Sequence, residues 1–154
     1  MQTLTIVWQR LLDEQGDTCP RCQGTGDSVR RAIERLKTVL EPLGVQPVLE
    51  CRSLDQQDFL QQPAESNRIW IAGRPLESWL GAQTGASPCC AACGDQDCRT
   101  LEVEGQAYEV VPEELLVRAG LKAGIGLLEP EPASQAAAGS GKPSSCCGTG
   151  GCCY

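Results

Sequence analysis

The sequence predicts an α/β protein built around one core, with strands and helices alternating along the chain. Three observations carry that reading. Residues 3–8 are rich in β-branched and aromatic side chains, and Leu4, Ile6 and Trp8 alternate with Thr3, Thr5 and Val7, as in a largely buried strand. Val29, Ala32, Ile33, Leu36, Leu40 and Leu43 form one apolar stripe at helical spacing, with Arg30, Arg31, Glu34, Arg35 and Lys37 on the opposite, solvated face. Further strand-like runs and a second helical pattern follow, giving the order strand, helix, strand, loop, strand, β-hairpin, helix. At 154 residues the chain is long enough for one domain plus an appendage.

Each element has its own local signal. After the first strand, residues 11–17 turn through polar side chains and Gly16 into Cys19-Pro20-Arg21-Cys22. The first helix begins either at Asp27 or Ser28, both good N-caps, or at the CxxC, tolerating Gly24 and Gly26 at about 1 kcal/mol each. Pro42 and Gly44 end it. Residues 45–54 form a second strand carrying Cys51, which reads as a small buried apolar residue, and residues 55–64 form a loop or short helix closed by Pro63. Residues 68–72 form a strand leaving through Gly73, and residues 76–80 add a helical turn. Residues 81–98 read as a flexible cysteine-bearing loop inserted before a hairpin of residues 100–103 and 108–111, joined through residues 104–107. Pro112, Glu113 and Glu114 open the last helix, expected to run to about Lys122 before Gly124 and Gly126. The tryptophans Trp8, Trp70 and Trp79 read as core or rim aromatics.

The organisation is then a domain over residues 1–126, a Pro/Ala/Gly/Ser linker over 127–145 and a thiol tail over 146–154. A tether of about 20 residues reaches about 25 Å, against a radius of gyration of about 14 Å for the domain, so the tail can touch the domain.

Composition narrows the chemistry. The net charge of −7 argues against a nucleic-acid partner, which would call for clustered Lys and Arg. No basic and then apolar leader opens the chain, and no apolar run is long enough to span a bilayer, so the expected location is the cytoplasm with no membrane partner. In a reducing compartment, eleven cysteines speak for metal binding or catalysis more than for a disulfide framework. The absence of histidine removes Cys-His nucleophiles and imidazole-ligated metals, leaving thiolates as the reactive groups and the metal ligands. No cofactor is obligatory; a soft metal or metalloid ion, or zinc, is the group such ligands take.

Three cysteine constellations follow. The first is Cys19 and Cys22 between a strand and a helix, the setting in which a CxxC is informative; helix-terminal amides and the neighbouring Arg21 favour a thiolate at Cys19. The strand 3–8, this CxxC and the stripe of Val29, Ala32 and Leu36 resemble the opening of small thioredoxin-like proteins. Residues 1–123 are similar to a thioredoxin-like bacterial and archaeal family known only as a domain of unknown function, DUF2703, on the CxxC, the segment NRIWIAGRPL, the cysteine loop, and CRTLEVEGQAYEVVPEEL. The resemblance implies a thioredoxin-like fold with Cys19 as attacking and Cys22 as resolving thiol. Thioredoxins place a cis-proline before the strand facing the CxxC, whereas Ser66 and Asn67 stand there in this chain, with Pro63 displaced.

The second constellation is Cys89, Cys90, Cys93 and Cys98 in one loop. Its spacing admits a trigonal soft-ion site, a structural zinc, a second redox centre, or loop cysteines without a role. The third is Cys146, Cys147, Cys152 and Cys153 in the tail. Adjacent cysteines are poorly placed to close an unstrained disulfide with each other, and soft ions prefer such ligands. The tail resembles the vicinal pairs of arsenic metallochaperones.

The function these features predict is thiolate-based handling of soft ions of the As(III), Hg(II) and Cu(I) class, as scavenger or metallochaperone in detoxification. An efflux pump, a reductase or another thiol protein would receive the cargo. The alternatives are a thiol-disulfide oxidoreductase or metalloid reductase using Cys19 and Cys22, and a zinc-stabilised interaction module.

Overall fold

A computed structural model of the chain describes residues 1–89 and 93–129. Cys90, the greater part of the linker, and the tail cysteines Cys146, Cys147, Cys152 and Cys153 lie outside the described residues.

The described residues form a mixed α/β structure with two sheets. Strands β1 (Gln2–Leu11), β2 (Val45–Leu54), β3 (Arg68–Ile71) and β4 (Arg74–Pro75) make a four-stranded sheet in the order β2-β1-β3-β4. β1 and β2 run parallel, joined by helix α1 (Pro20–Leu40), while β3 lies antiparallel to β1 and forms a hairpin with β4. Strands β5 (Gln83–Pro88), β6 (Asp97–Val103) and β7 (Gln106–Tyr108) form a separate antiparallel sheet. Short helices α2 (Gln56–Gln61) and α3 (Leu76–Leu80) flank β3 and β4, and α4 (Glu113–Leu128) closes the fold.

Leu4, Ile6 and Trp8 of β1, Val29, Leu36 and Leu40 of α1, and Leu116 and Ala119 of α4 belong to one buried core. Cys19, Cys22, Cys93 and Cys98 are part of the same core. Among the described residues, no helix is long and apolar enough to cross a membrane.

Of the two possible starts for α1, the structure takes the earlier, with Cys19 as N-cap and Pro20 as the first helical residue. Gly26 is inside the helix for a steric reason: a Cβ there would stand 2.4 Å from Cη2 of the Trp8 ring. Gly26→Ala is therefore expected to destabilise the fold by about 1–3 kcal/mol despite the better helix propensity of alanine. The exposed Gly126 of α4 has nothing within 4 Å, and Gly126→Ala is expected to stabilise by about 0.5–1 kcal/mol. Urea denaturation of the two variants checks the opposite signs.

Five expectations need correction. Residues 83–88 are not loop but β5, paired with β6 from Gln83↔Glu102 to Pro88↔Asp97. The hairpin turns over only Glu104 and Gly105, with φ of 51° and 81°, because β6 and β7 pair at Val103↔Gln106; this is the positive-φ pair that a two-residue hairpin favours. Helix α4 continues through Gly124 and Gly126 to Leu128. Gly120 and Gly124 face α1, where a Cβ would stand 2.4 and 2.7 Å from Cδ1 of Leu36 and Leu40, so close helix packing holds the glycines in the helix. Cys51 is exposed, because it lies in the uncovered second half of the edge strand β2. The cationic face of α1 is also not only solvated: Arg31 and Arg35 both pair with Glu113, at 3.0 and 3.1 Å.

Candidate metal and thiol centre

The site forms where β1 ends and α1 begins. Between them, Asp13 Oδ1 accepts hydrogen bonds from the amides of Gln15 and Asp17, both 2.9 Å, and this turn sets Cys19 at the head of the helix. Cys19 is in extended backbone, while Cys22 lies in the first helical turn, 1% exposed. Ser66, immediately upstream of Asn67 and β3, stands against Cys22: its Oγ lies 3.6 Å from the Cys22 sulfur and accepts the Leu11 amide at 3.0 Å. With an acceptor site of Ser66 filled by that amide, its own proton is free to donate to Cys22. Asn67, at φ 60°, links this corner to the core, its Oδ1 accepting from the Trp8 indole at 3.4 Å and its Nδ2 donating to Glu109 O at 3.4 Å.

The second sheet brings the cysteine loop onto this corner. Cys89 Sγ lies 3.9 Å from Cys19 Sγ, and the sulfurs of Cys19, Cys89 and Cys93 all lie within 4.8 Å of one another. Three sulfurs about 2.3 Å from a trigonal ion are about 4 Å apart, so a sub-ångström contraction would close this set on an ion. Cys98 contacts Cys89 and Cys93 from β6, and Cys22 contacts Cys19 from the first turn of α1. Cys19, Cys22, Cys93 and Cys98 carry no disulfide. A cavity of about 50 Å³, lined by Asp13, Asp17, Thr18, Cys19, Gln56 and Cys93 among others, opens beside the sulfurs; that is room for one ion or a water.

Arg21 holds the two halves together. Its guanidinium donates to the carbonyls of Pro88 at 2.7 Å and of Ser87 and Cys98 at 3.5 Å, and it pairs with Glu109 at 3.0 Å. The sequence suggests that Arg21 stabilises the Cys19 thiolate; in the structure its charge is engaged with the backbone on either side of the cysteine loop. Arg21 is thus a positioning residue, which ties β5, β6 and the segment after β7 to the head of α1.

The thiolate at Cys19 has other causes. Hydrogen bonding from the Cys22 thiol, joined by the Cys22 amide and the thiols of Cys89 and Cys93, lowers Cys19 to about 4 against the opposing effect of burial. Cys22 is correspondingly pushed far up, first by holding its proton toward Cys19, then by burial and by the Cys19 charge. Burial raises Cys93 strongly and pushes Cys98 up to about 12. At neutral pH Cys19 is therefore a thiolate, with Cys22, Cys93 and Cys98 protonated around it.

The reactivity of Cys19 follows from the sign of that shift. The thiolate is the nucleophile, so a lowered value preserves reactivity down to about pH 4, where an ordinary thiol has lost it. Iodoacetamide alkylation of Cys19, followed by peptide mass spectrometry from pH 3 to 9, is expected to rise through about pH 4 and then level. A rise centred near pH 9 would show an ordinary thiol.

Of the residues expected from sequence, the structure gathers Cys19, Cys22, Cys89, Cys93 and Cys98 in one place and leaves Cys51 apart. Sequence reasoning separated Cys19 and Cys22 from the loop cysteines and missed Ser66 and Arg99. Arg99 of β6, 9% exposed, donates to Glu77 of α3, to Ala64 O at 2.7 Å and to Thr84 Oγ1 at 2.9 Å. It fastens the second sheet to the segment leading to Ser66. The only local signal for Ser66 is its position just ahead of a strand; Arg99 has none.

Comparison with known proteins places this centre inside a family match. A family model described as a domain of unknown function, DUF2703, matches residues 4–120, which includes the whole sulfur centre and excludes the tail. An uncharacterized protein of Archaeoglobus fulgidus is 48% identical over 113 residues, covering 73% of this chain and 82% of that protein. No solved structure matches the chain.

Proposed function

The chain belongs to the DUF2703 family, whose function is unknown, and we propose that it binds and handles soft heavy-metal or metalloid ions of the As(III), Hg(II) and Cu(I) class through thiolates. The observation that carries this reading is the convergence of Cys19, Cys89 and Cys93, three sulfurs from two distant segments within 4.8 Å. Three soft ligands without histidine or an ordered carboxylate set suit a trigonal thiophilic ion better than a hard cation. Cys19, already a thiolate, captures the ion, and Cys93 releases its proton as it and Cys89 join the ion. Cys98 stands behind them in a position to complete a tetrahedral set for zinc, the alternative cargo.

In this reading the scaffold is thioredoxin-like, supported by the placement of the CxxC between β1 and α1, and the protein works in the cytoplasm as a scavenger or metallochaperone. The tail pairs Cys146-Cys147 and Cys152-Cys153 serve as outer ligands that deliver ions to the centre, and an efflux pump, a reductase or another thiol protein receives them.

The experiment is titration of the fully reduced chain with arsenite, Hg(II), Cu(I) and Zn(II) under native mass spectrometry. It is repeated with Cys146, Cys147, Cys152 and Cys153 replaced by serine. One tightly bound ion is expected to remain in the tail-substituted chain. No protein-bound soft ion at micromolar concentration would end the proposal.

A second reading, a thiol-disulfide oxidoreductase or metalloid reductase, is favoured by the low-lying Cys19 thiolate beside the protonated Cys22. In it Cys19 attacks, Cys22 resolves and the loop cysteines pass electrons outward. Turnover of a disulfide or an oxyanion that is lost in Cys19→Ser would support it; unchanged turnover in that variant would remove it.

A further inference from the structure

We infer that the Cys19–Cys22 pair gates the three-sulfur site: oxidation of this pair to a disulfide withdraws Cys19 from the ligand set and releases the ion. The inference rests on the soft-ion reading and adds a control to it. Its basis is that a single sulfur serves two constellations. Cys19 Sγ is 3.9 Å from Cys89 and within 4.8 Å of Cys93, yet the same atom receives the hydrogen bond of Cys22. Cys22 is 1% exposed, packed against Ser66 and Cys19. It interacts with the same Cys19 sulfur and is placed to compete for it. Cys19 cannot be a thiolate ligand and a disulfide partner at once.

The step needs an oxidant of the low-molecular-weight disulfide class, RSSR. Water first replaces Cys19 on the ion, freeing the thiolate. The Cys19 thiolate then attacks one sulfur of RSSR, forming a mixed disulfide and expelling RS⁻. The Cys22 sulfur attacks Cys19 in turn, forming the Cys19–Cys22 bond and expelling the second RS⁻, which takes up the proton that Cys22 loses. Two electrons pass from the pair to RSSR. The ion is left on Cys89 and Cys93 with water as its third ligand, a set from which it is readily lost.

Linkage makes the gate reciprocal: an ion that binds only the dithiol form protects the pair from oxidation. Each tenfold excess of ion over its dissociation constant raises the reduction potential of the pair by about 30 mV. Arg21 keeps the loop carbonyls docked whichever state Cys19 is in, so the gate works without moving the second sheet.

The test uses the full chain with Cys51 and the four tail cysteines replaced by serine, loaded with arsenite. It is treated with diamide, which takes the same two electrons and leaves no competing thiol. Bound arsenic is read by native mass spectrometry and the disulfide is mapped by peptide mass spectrometry. The Cys19–Cys22 disulfide form is expected to bind arsenite about 100-fold or more weaker than the dithiol form, beyond the 10–100-fold that losing a group which merely supports a ligand costs. Bound arsenite is expected to slow disulfide formation in proportion to occupancy, and Cys22→Ser, whose hydroxyl can take over the hydrogen bond to Cys19, is expected to lose no more than about tenfold in affinity when reduced.

Equal binding by the oxidised and reduced forms overturns the gate and leaves the soft-ion reading standing. A mapped Cys19–Cys89 bond with Cys22 free overturns the role given to Cys22, as does loss of arsenite from reduced Cys22→Ser. A reduced chain that binds nothing removes the soft-ion reading, and the gate with it.

Discussion

A Cys19→Ser chain whose tail cysteines are also replaced is expected to lose soft-ion affinity by about 100-fold or more, since a hydroxyl is a poor ligand for a thiophilic ion. Cys19 supplies the charge on which the site is built: it is the sulfur lowered to about 4, while burial keeps Cys93 protonated and holds Cys98 near 12. Without it the ion must deprotonate buried thiols unaided. The same substitution is expected to abolish the fast alkylation at pH 6. Its companion Cys98→Ser is expected to leave that alkylation intact and to weaken ion binding much less, because Cys98 lies outside the three-sulfur set. Titration by native mass spectrometry and alkylation at pH 6 read both variants. An undiminished ion affinity in Cys19→Ser would place the site on the loop alone.

Glu77→Ala is expected to destabilise the fold by about 3–5 kcal/mol, a large fraction of the stability of a domain of this size. Glu77 Oε1 accepts from Nε and Nη2 of Arg99, and the two side chains are only 14% and 10% exposed. Removing the carboxylate leaves a guanidinium buried between two sheets with only Ala64 O and Thr84 Oγ1 to receive it. The expected readout is a lower urea midpoint with an unchanged slope. In a double-mutant cycle with Arg99→Met, a coupling of at least about 1 kcal/mol is expected, the mark of a direct pair. A loss below about 1 kcal/mol in Glu77→Ala would mean that the pair is solvated in the folded protein.

Both predictions concern contacts of the second sheet with the rest of the fold, and those contacts were the part least legible in the sequence. Elements with strong local patterns were readable: β2 covers residues 45–54, and the short helix open to residues 55–64 forms as α2, with Asp55 accepting the Asp58 amide at 2.8 Å. Pro42 and Gly44 end α1 through a short 3₁₀ turn, with Gly44 at φ 85°. β5 was not readable, because Gln-Thr-Gly-Ala-Ser-Pro has little intrinsic strand preference and becomes a strand by pairing with β6. The course of α4 past Gly124 depends on Leu36 and Leu40 of a helix some eighty residues earlier. The burial expected of Cys51 failed because alternation does not reveal which half of an edge strand is covered.

By itself the sequence determined that this is a thiol protein without histidine, with a CxxC at a strand-to-helix junction and a helical stripe beneath it, since periodicity, capping and composition are local properties. Only the tertiary structure decided that Cys19 belongs with Cys89 and Cys93. Those sulfurs are separated by 70 residues of chain, and what brings them together is the pairing of β5 with β6, the grip of Arg21 on loop carbonyls and the tie of Arg99 to Glu77. Arg21 and Arg99 each stand beside a cysteine, yet their partners cannot be read from that position, because each contact is set by the folding of distant segments onto a shared core.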